Sequence, residues 1–169
     1  MVLATAAPLF AGRDVPVQDL PQHAAAVRVL FDFARPELRF EEFFVREPFD
    51  TQYLTVYLFA AVLSRGVGAV LACKLVLALS MIGLPYALRA LLASLDKPRS
   101  LGLLALPLAH NVHFLLGFMN FLAGLPLCFA GLALAVRAAR ASSRPALLGL
   151  AALAIVCFYT HVVPFAMLA

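Results

Sequence analysis

The chain has 169 residues, 64% hydrophobic and 13% charged, with a mean hydropathy of +0.96 and a formal net charge of +4. Soluble domains are about half apolar and about a quarter charged, so the composition points to an all-α, polytopic integral membrane bundle and away from a soluble enzyme. Basic residues stand singly at the ends of apolar runs, which argues against a nucleic-acid surface.

Residues 1–11 are apolar but short for a span, which needs about 20 residues. No basic region precedes them, as a cleaved leader would require, so they read as the stub of a first span. The other end, HVVPFAMLA, stops inside an apolar run. Together the two ends lead to the expectation that the chain is a fragment of a longer protein.

Residues 12–50 form the one long polar segment, with eight acidic and five basic residues and Pro16, Pro21, Pro36 and Pro48. Within it, Leu20, Ala24, Val27, Leu30, Phe31 and Phe33 recur near helical spacing, which predicts a short amphipathic helix resting on the membrane surface. Phe40, Phe43, Phe44 and Phe49 are placed to dip into the interface in the same way. Residues 51–64, TQYLTVYLFAAVLS, predict an apolar helix too short to span, broken by Arg65-Gly66-Val67-Gly68. A surface-lying or re-entrant helix fits it better. Residues 12–73 are therefore an extracytoplasmic loop with short interfacial helices.

A full-length span is predicted over 74–95, closed by Asp96-Lys97-Pro98-Arg99, with Arg89 able to snorkel toward that end. Residues 101–136 are too long for one span, since a single helix would reach about 54 Å. They predict a hairpin of two short spans, turning within His110–Asn120 and broken at Pro107 and Pro126. Arg137, Arg140 and Arg144 end the block, and a last span occupies 145–169. The positive-inside rule puts both short basic loops in the cytoplasm. The three cysteines, Cys73, Cys128 and Cys157, fall in apolar runs without metal spacing and read as inert packing residues.

This topology gathers the polar residues. His23, His110, His113 and His161 all fall on the outer side, with Asp19, Asp50, Asn111 and Asn120. A polar cluster beside broken helices at one leaflet is a candidate site. Each residue has a plainer reading. Asp19 precedes a helical pattern and is placed to cap it. Interfacial histidines often only satisfy hydrogen bonds. His110 and His113 at i,i+3 share a face, but no third ligand lies nearby, so no metal site is assigned. Gly117, Gly124 and Gly131 recur every seven residues and read as a helix-packing stripe. Lys74 either snorkels or pairs with an anionic lipid phosphate.

Four segments stand out: QDLPQH in the loop after the first span, EPFDTQYLTVYLFAAVLSRGVG, ACKLVLALSMIGLPYALRALL, and LALPLAHNVHFLLGFMNFLAGLPL before a basic loop. Together they resemble the GT-C fold glycosyltransferases, polytopic enzymes that include the protein O-mannosyltransferases and other lipid-linked-sugar transferases. Asp19 stands in that loop without a second acid beside it. The resemblance implies a polyprenyl-phosphate sugar donor with its lipid in the bilayer and its sugar at the extracytoplasmic face. Asp19 would act as general base on an acceptor hydroxyl, or orient the acceptor. Lys74 or Arg65 would stabilise the leaving phosphate. His23, His110, Asn111, His113 and His161 would contact substrate. No cofactor is assigned. The Ala-, Leu- and Arg-rich composition fits a multi-pass protein of a bacterial inner (plasma) membrane. Two other readings stand beside this one: a non-catalytic polytopic subunit, and a transporter module. The absence of an internal repeat and the near absence of midplane charge count against the transporter.

Overall fold

The N-terminal apolar run forms a 3-10 helix, Leu3–Phe10, in the computed structural model, which describes residues 2–12, 15, 17–47 and 49–169. Met1 of the predicted stub, and Arg13, Asp14, Pro16 and Pro48 of the predicted outer loop, lie outside the described residues. The fold is all-helical, with 77% helix and no strand among the described residues.

Helix α1 (Leu20–Asp32) begins directly after Asp19 and carries Pro21 in its first turn, where a missing N–H is tolerated. Its stripe of Leu20, Ala24 and Val27 is buried, as i, i+4, i+7 spacing requires of a helix packed on one face. The cover differs from the expectation. Protein covers this stripe rather than lipid, because α1 packs on α2 (Leu54–Val67) and α3 (Ala69–Ser94). Its other faces show Gln22, Ala25 and Arg28 to the exterior. At its end the buried carboxylate of Asp32 pairs with Arg28 and, at 2.8 Å, with Arg35. Two short 3-10 turns, Pro36–Leu38 and Phe40–Glu42, follow. Phe43 and Phe49 are about three-quarters exposed, at 76% and 75%, so neither belongs to the protein core.

Helix α2 does not stop at Arg65. It runs through Arg65, Gly66 and Val67 to a corner at Gly68, whose φ of +80° and ψ of 159° are open only to glycine. α3 leaves that corner at once and runs 26 residues. The chain then comes back along α3 in broken form: a 3-10 stretch, Arg99–Leu104, then α4 (Ala105–Leu108) and α5 (Val112–Leu116). Gly102 permits the close approach, since a Cβ there would lie 3.0 Å from the Pro85 carbonyl oxygen and against the Arg89 side chain. Helix α6 (Met119–Ala141) then repeats the direction of α3. Pro126 lies against Gly83, and farther along Arg140 pairs with Asp96 at 2.5 Å, so the two long helices are parallel.

The expected hairpin of two short spans thus takes a different form. Its second leg is one long helix continuing to Ala141, and its first leg is a stretched return. The 3-10 rise of about 2.0 Å per residue, against 1.5 Å for an α-helix, lets few residues cover that length. The expected last span is also divided. α7 (Arg144–Phe158) rises along α6, and α8 (Val162–Leu168) folds back on it. Pro164 would clash with the carbonyl of residue 160 in a continuous helix; instead it sits on Gly124, and Leu168 sits on Gly131. Those two glycines are packing positions on α6. Gly117 is not part of that stripe: it ends α5 with φ +86°.

Helices α3 and α6 are long and apolar enough to cross a membrane, each with a mean hydropathy of 1.9. Of their most apolar windows, 44% and 39% is buried within the protein; the rest of α6 as far as Val136 is partly covered, and Leu79 and Tyr86 of α3 are exposed. Leu147, Leu148 and Ile155 of α7 are likewise exposed. Cys73, Cys128 and Cys157 are free thiols and fully buried.

Candidate functional site

Because α3 and α6 are parallel, their N-terminal ends share one end of the bundle; at the other end Lys97 and Arg99 follow α3, Arg137 and Arg140 lie in the last two turns of α6, and Arg144 follows it. At the N-terminal end, backbone bonds tie four elements together. Gln18 N donates to Leu115 O at 2.9 Å and Asp19 N to Leu116 O at 3.2 Å, joining the start of α1 to α5. Thr55 N donates to Tyr159 O at 2.9 Å, joining the start of α2 to the end of α7. Between these joints lies a cavity of about 330 Å³, lined by Asp19, His23, Tyr53, Tyr57, Asn120 and His161 together with Phe118, Met119 and Phe121.

Asp19 and His23 reach it together because they are four residues apart at the start of one helix. Asp19 occupies the cap position of α1, yet its side chain makes no capping hydrogen bond. Among the described residues its carboxylate has no ion-pair partner. The capping alternative is therefore not what the geometry shows.

Both ring nitrogens of His23 are engaged. Nε2 lies 2.9 Å from the Gly117 carbonyl oxygen and Nδ1 lies 2.8 Å from the Tyr57 hydroxyl. A carbonyl can only accept, so Nε2 carries the proton, and Nδ1 accepts from the Tyr57 O–H. Burial lowers the His23 pKa below the usual 6.5; the Gly117 carbonyl and the Asp19 charge oppose that only in part. Burial likewise raises Tyr57 above its usual 10, against a hydrogen bond from Asn120. The ring is thus held neutral in one tautomer. Through these two bonds the ring holds this end of the bundle together while it lines the cavity.

His161 lies at the corner between α7 and α8 and caps α8, its Nδ1 accepting from Val163 N at 3.1 Å. Its ring also meets Tyr53 at 5.4 Å and Phe121 at 5.7 Å between centroids. His113 stacks on the same Phe121 at 4.9 Å, one ring removed from the cavity. Among the described residues the His110 ring meets that of Phe114. Asn111 is the side-chain cap of α5, accepting from Phe114 N at 3.1 Å.

The two cations go elsewhere. Arg65 lies over the ring of Phe31, 5.8 Å from its centroid. Lys74 is buried and donates to Gly12 O at 2.8 Å. It lines a second cavity, about 570 Å³, between the α1 start at Leu20 and Pro21 and the Gly68 corner. Among the described residues no group of three or more His, Cys, Asp or Glu is arranged to hold a metal ion.

Tyr53 and Tyr57 were not singled out from the sequence, where they read as part of an apolar helix. Their four-residue spacing at the start of α2, which puts two hydroxyls on one face, is the signal that was there to use. No family model, curated protein or solved structure matches the chain.

Proposed function

We propose that this chain is a multi-pass inner-membrane protein of GT-C type. In this reading it transfers a sugar from a polyprenyl-phosphate donor to an acceptor hydroxyl at the extracytoplasmic face. The observation that carries the reading is the Asp19 carboxylate, which makes no capping hydrogen bond and has no ion-pair partner among the described residues, in a polar cavity at the end of the bundle opposite the basic loops. Asp19 takes the proton of the acceptor hydroxyl as its oxygen attacks the anomeric carbon. The bond from that carbon to the phosphate oxygen breaks, and the polyprenyl phosphate leaves with the electron pair. In this reading the departing phosphate moves toward Lys74, which lines the cavity adjoining the same α1 start. His23 and Tyr57 fix the α1 start on which Asp19 is carried. Arg65, on Phe31, takes no part.

Turnover of a polyprenyl-phosphate sugar by the full chain in nanodiscs tests this. Asp19→Asn is expected to lower the rate by about a hundredfold or more with the melting temperature kept. A wild-type rate in that variant removes Asp19 from the base role. No turnover by the parent chain favours the non-catalytic subunit.

A further inference from the structure

Six of the nine residues that line the Asp19 cavity carry rings: His23, Tyr53, Tyr57, Phe118, Phe121 and His161. The rings hold one another in place. His161 meets Tyr53 at 5.4 Å and Phe121 at 5.7 Å, and His23 meets Tyr57 at 5.8 Å, between centroids. Their planes are inclined by 49°, 76° and 41°, which curves the wall around the space instead of stacking it into one plane.

The charge in this space has one sign. His23 and His161 each use Nδ1 as an acceptor, from Tyr57 O–H and from Val163 N, so each ring is neutral. Asp19 is then the one charged group that lines the cavity. Among the described residues its carboxylate makes no ion pair. The face of an aromatic ring carries the negative part of its quadrupole and attracts a cation. Rings and carboxylate therefore favour the same kind of guest.

The chemistry narrows which cation. A calcium or magnesium ion needs several oxygen ligands, and the cavity has one carboxylate; among the described residues no group of three or more His, Cys, Asp or Glu is arranged to hold a metal. A primary ammonium brings three N–H donors, each wanting an acceptor, and the Nδ1 atoms of both histidines are already spent. A methylated ammonium brings no N–H and spreads its charge over methyl groups that lie against ring faces. At about 330 Å³ the space is at the small end of ligand pockets, which suits a headgroup-sized ion.

From this we infer that the cavity binds a quaternary ammonium group, with Asp19 as its counter-charge and Tyr53 among the rings that face it. The inference goes beyond the sugar-transfer reading and does not need it.

Binding is measured by saturation-transfer NMR on the full chain in nanodiscs of phosphatidylglycerol, a lipid without an ammonium group, with empty discs as background. Choline is the probe. Dimethylbutanol, the neutral analogue with carbon in place of nitrogen, and ethanolamine, which carries its charge on N–H, are the controls. Choline is expected to bind about tenfold or more tightly than either. Asp19→Asn is expected to weaken choline by about tenfold or more. Tyr53→Leu is expected to weaken it as well, and Tyr53→Phe, which keeps the ring face, is not. Equal binding of choline and the neutral alcohol overturns the inference, as does a preference for ethanolamine or unaltered choline affinity in a folded Asp19→Asn. Discs of phosphatidylcholine identify the source: a lipid headgroup in the cavity displaces free choline, a site for the free solute keeps it, and the inference holds in both. Choline binding without turnover leaves this inference standing and removes the transferase. Turnover with no preference for choline does the reverse.

Discussion

A Cβ on Gly117 would lie 2.8 Å from the backbone nitrogen of Asp19. The candidate base is therefore carried on backbone that passes directly over a residue 98 positions later in the chain (117 − 19). The same glycine has φ +86° and lends its carbonyl to His23. Gly117→Ala meets both a strained conformation and a backbone clash. The expected loss is about 1–3 kcal/mol, read as a lower melting temperature of the detergent-solubilised chain. An unchanged melt would mean that α1 does not pass this close to α5.

His23 gives the fold a pH dependence of known sign. Its folded pKa lies below the unfolded 6.5, so as pH falls through 6.5 the unfolded chain takes up the proton first. Stability is then lost with acidification, by at most about 1.4 kcal/mol per pH unit for one proton. The loss stops once the folded ring protonates. Asp19 on its own helix and Tyr53, Tyr57 and His161 from facing elements surround it. Melts at pH 7.5 and 5.5 are expected to differ in the parent chain and to differ less in His23→Gln. An equal difference in both would assign the effect to another group.

Gly124 and Gly131 separate two kinds of close packing. A Cβ on Gly124 would meet the Pro164 ring at 2.6 Å, and one on Gly131 would meet the tip of Leu168 at 2.7 Å. A proline ring cannot turn aside, whereas a leucine side chain changes rotamer. Gly124→Ala is expected to cost about 1–3 kcal/mol through overpacking, and Gly131→Ala clearly less. Paired thermal melts decide the order; equal costs would mean α8 moves as one body.

The ion pair of Asp96 and Arg140 is exposed on both sides, 79% and 52%. Such pairs contribute about 0–1 kcal/mol. Asp96→Asn is therefore expected to leave the melting temperature nearly unchanged, at low as well as high salt. A drop of several degrees would show that the pair fastens the ends of α3 and α6.

The long elements were legible because their signals are local. A long apolar run closed by Asp96 and Lys97 made α3 legible, whereas α6 was expected only as the short second leg of a hairpin, and the i,i+4 pair Asp19 and His23 was visible as a polar island. The breaks were less legible. Arg65-Gly66 looked like a helix end, but only Gly68 takes the backbone angle that makes one. Pro164 marks where the last span divides, a signal present in the sequence but overridden by the apolar composition around it. The site was half legible. Grouping His23 with His161 and Asn120 followed from topology alone. One of the two partners of His23 is 94 residues away and is a backbone carbonyl, which no side-chain pattern encodes. Lys74 and Arg65 were grouped with Asp19 by charge and are separated by packing, Arg65 onto Phe31 and Lys74 into the neighbouring cavity.

The burial of Cys73, Cys128 and Cys157 has a practical consequence. A chain whose own thiols are out of reach of water is silent toward membrane-impermeant maleimides, so its sidedness can be read without first making a cysteine-free background. A single cysteine at the exposed Ser100 or Ser142, in the basic loops, reports one end of the bundle. One at the exposed Gln18, beside the cavity, reports the other. Labelling of intact cells or right-side-out vesicles at only one of these places would orient the molecule in a single experiment.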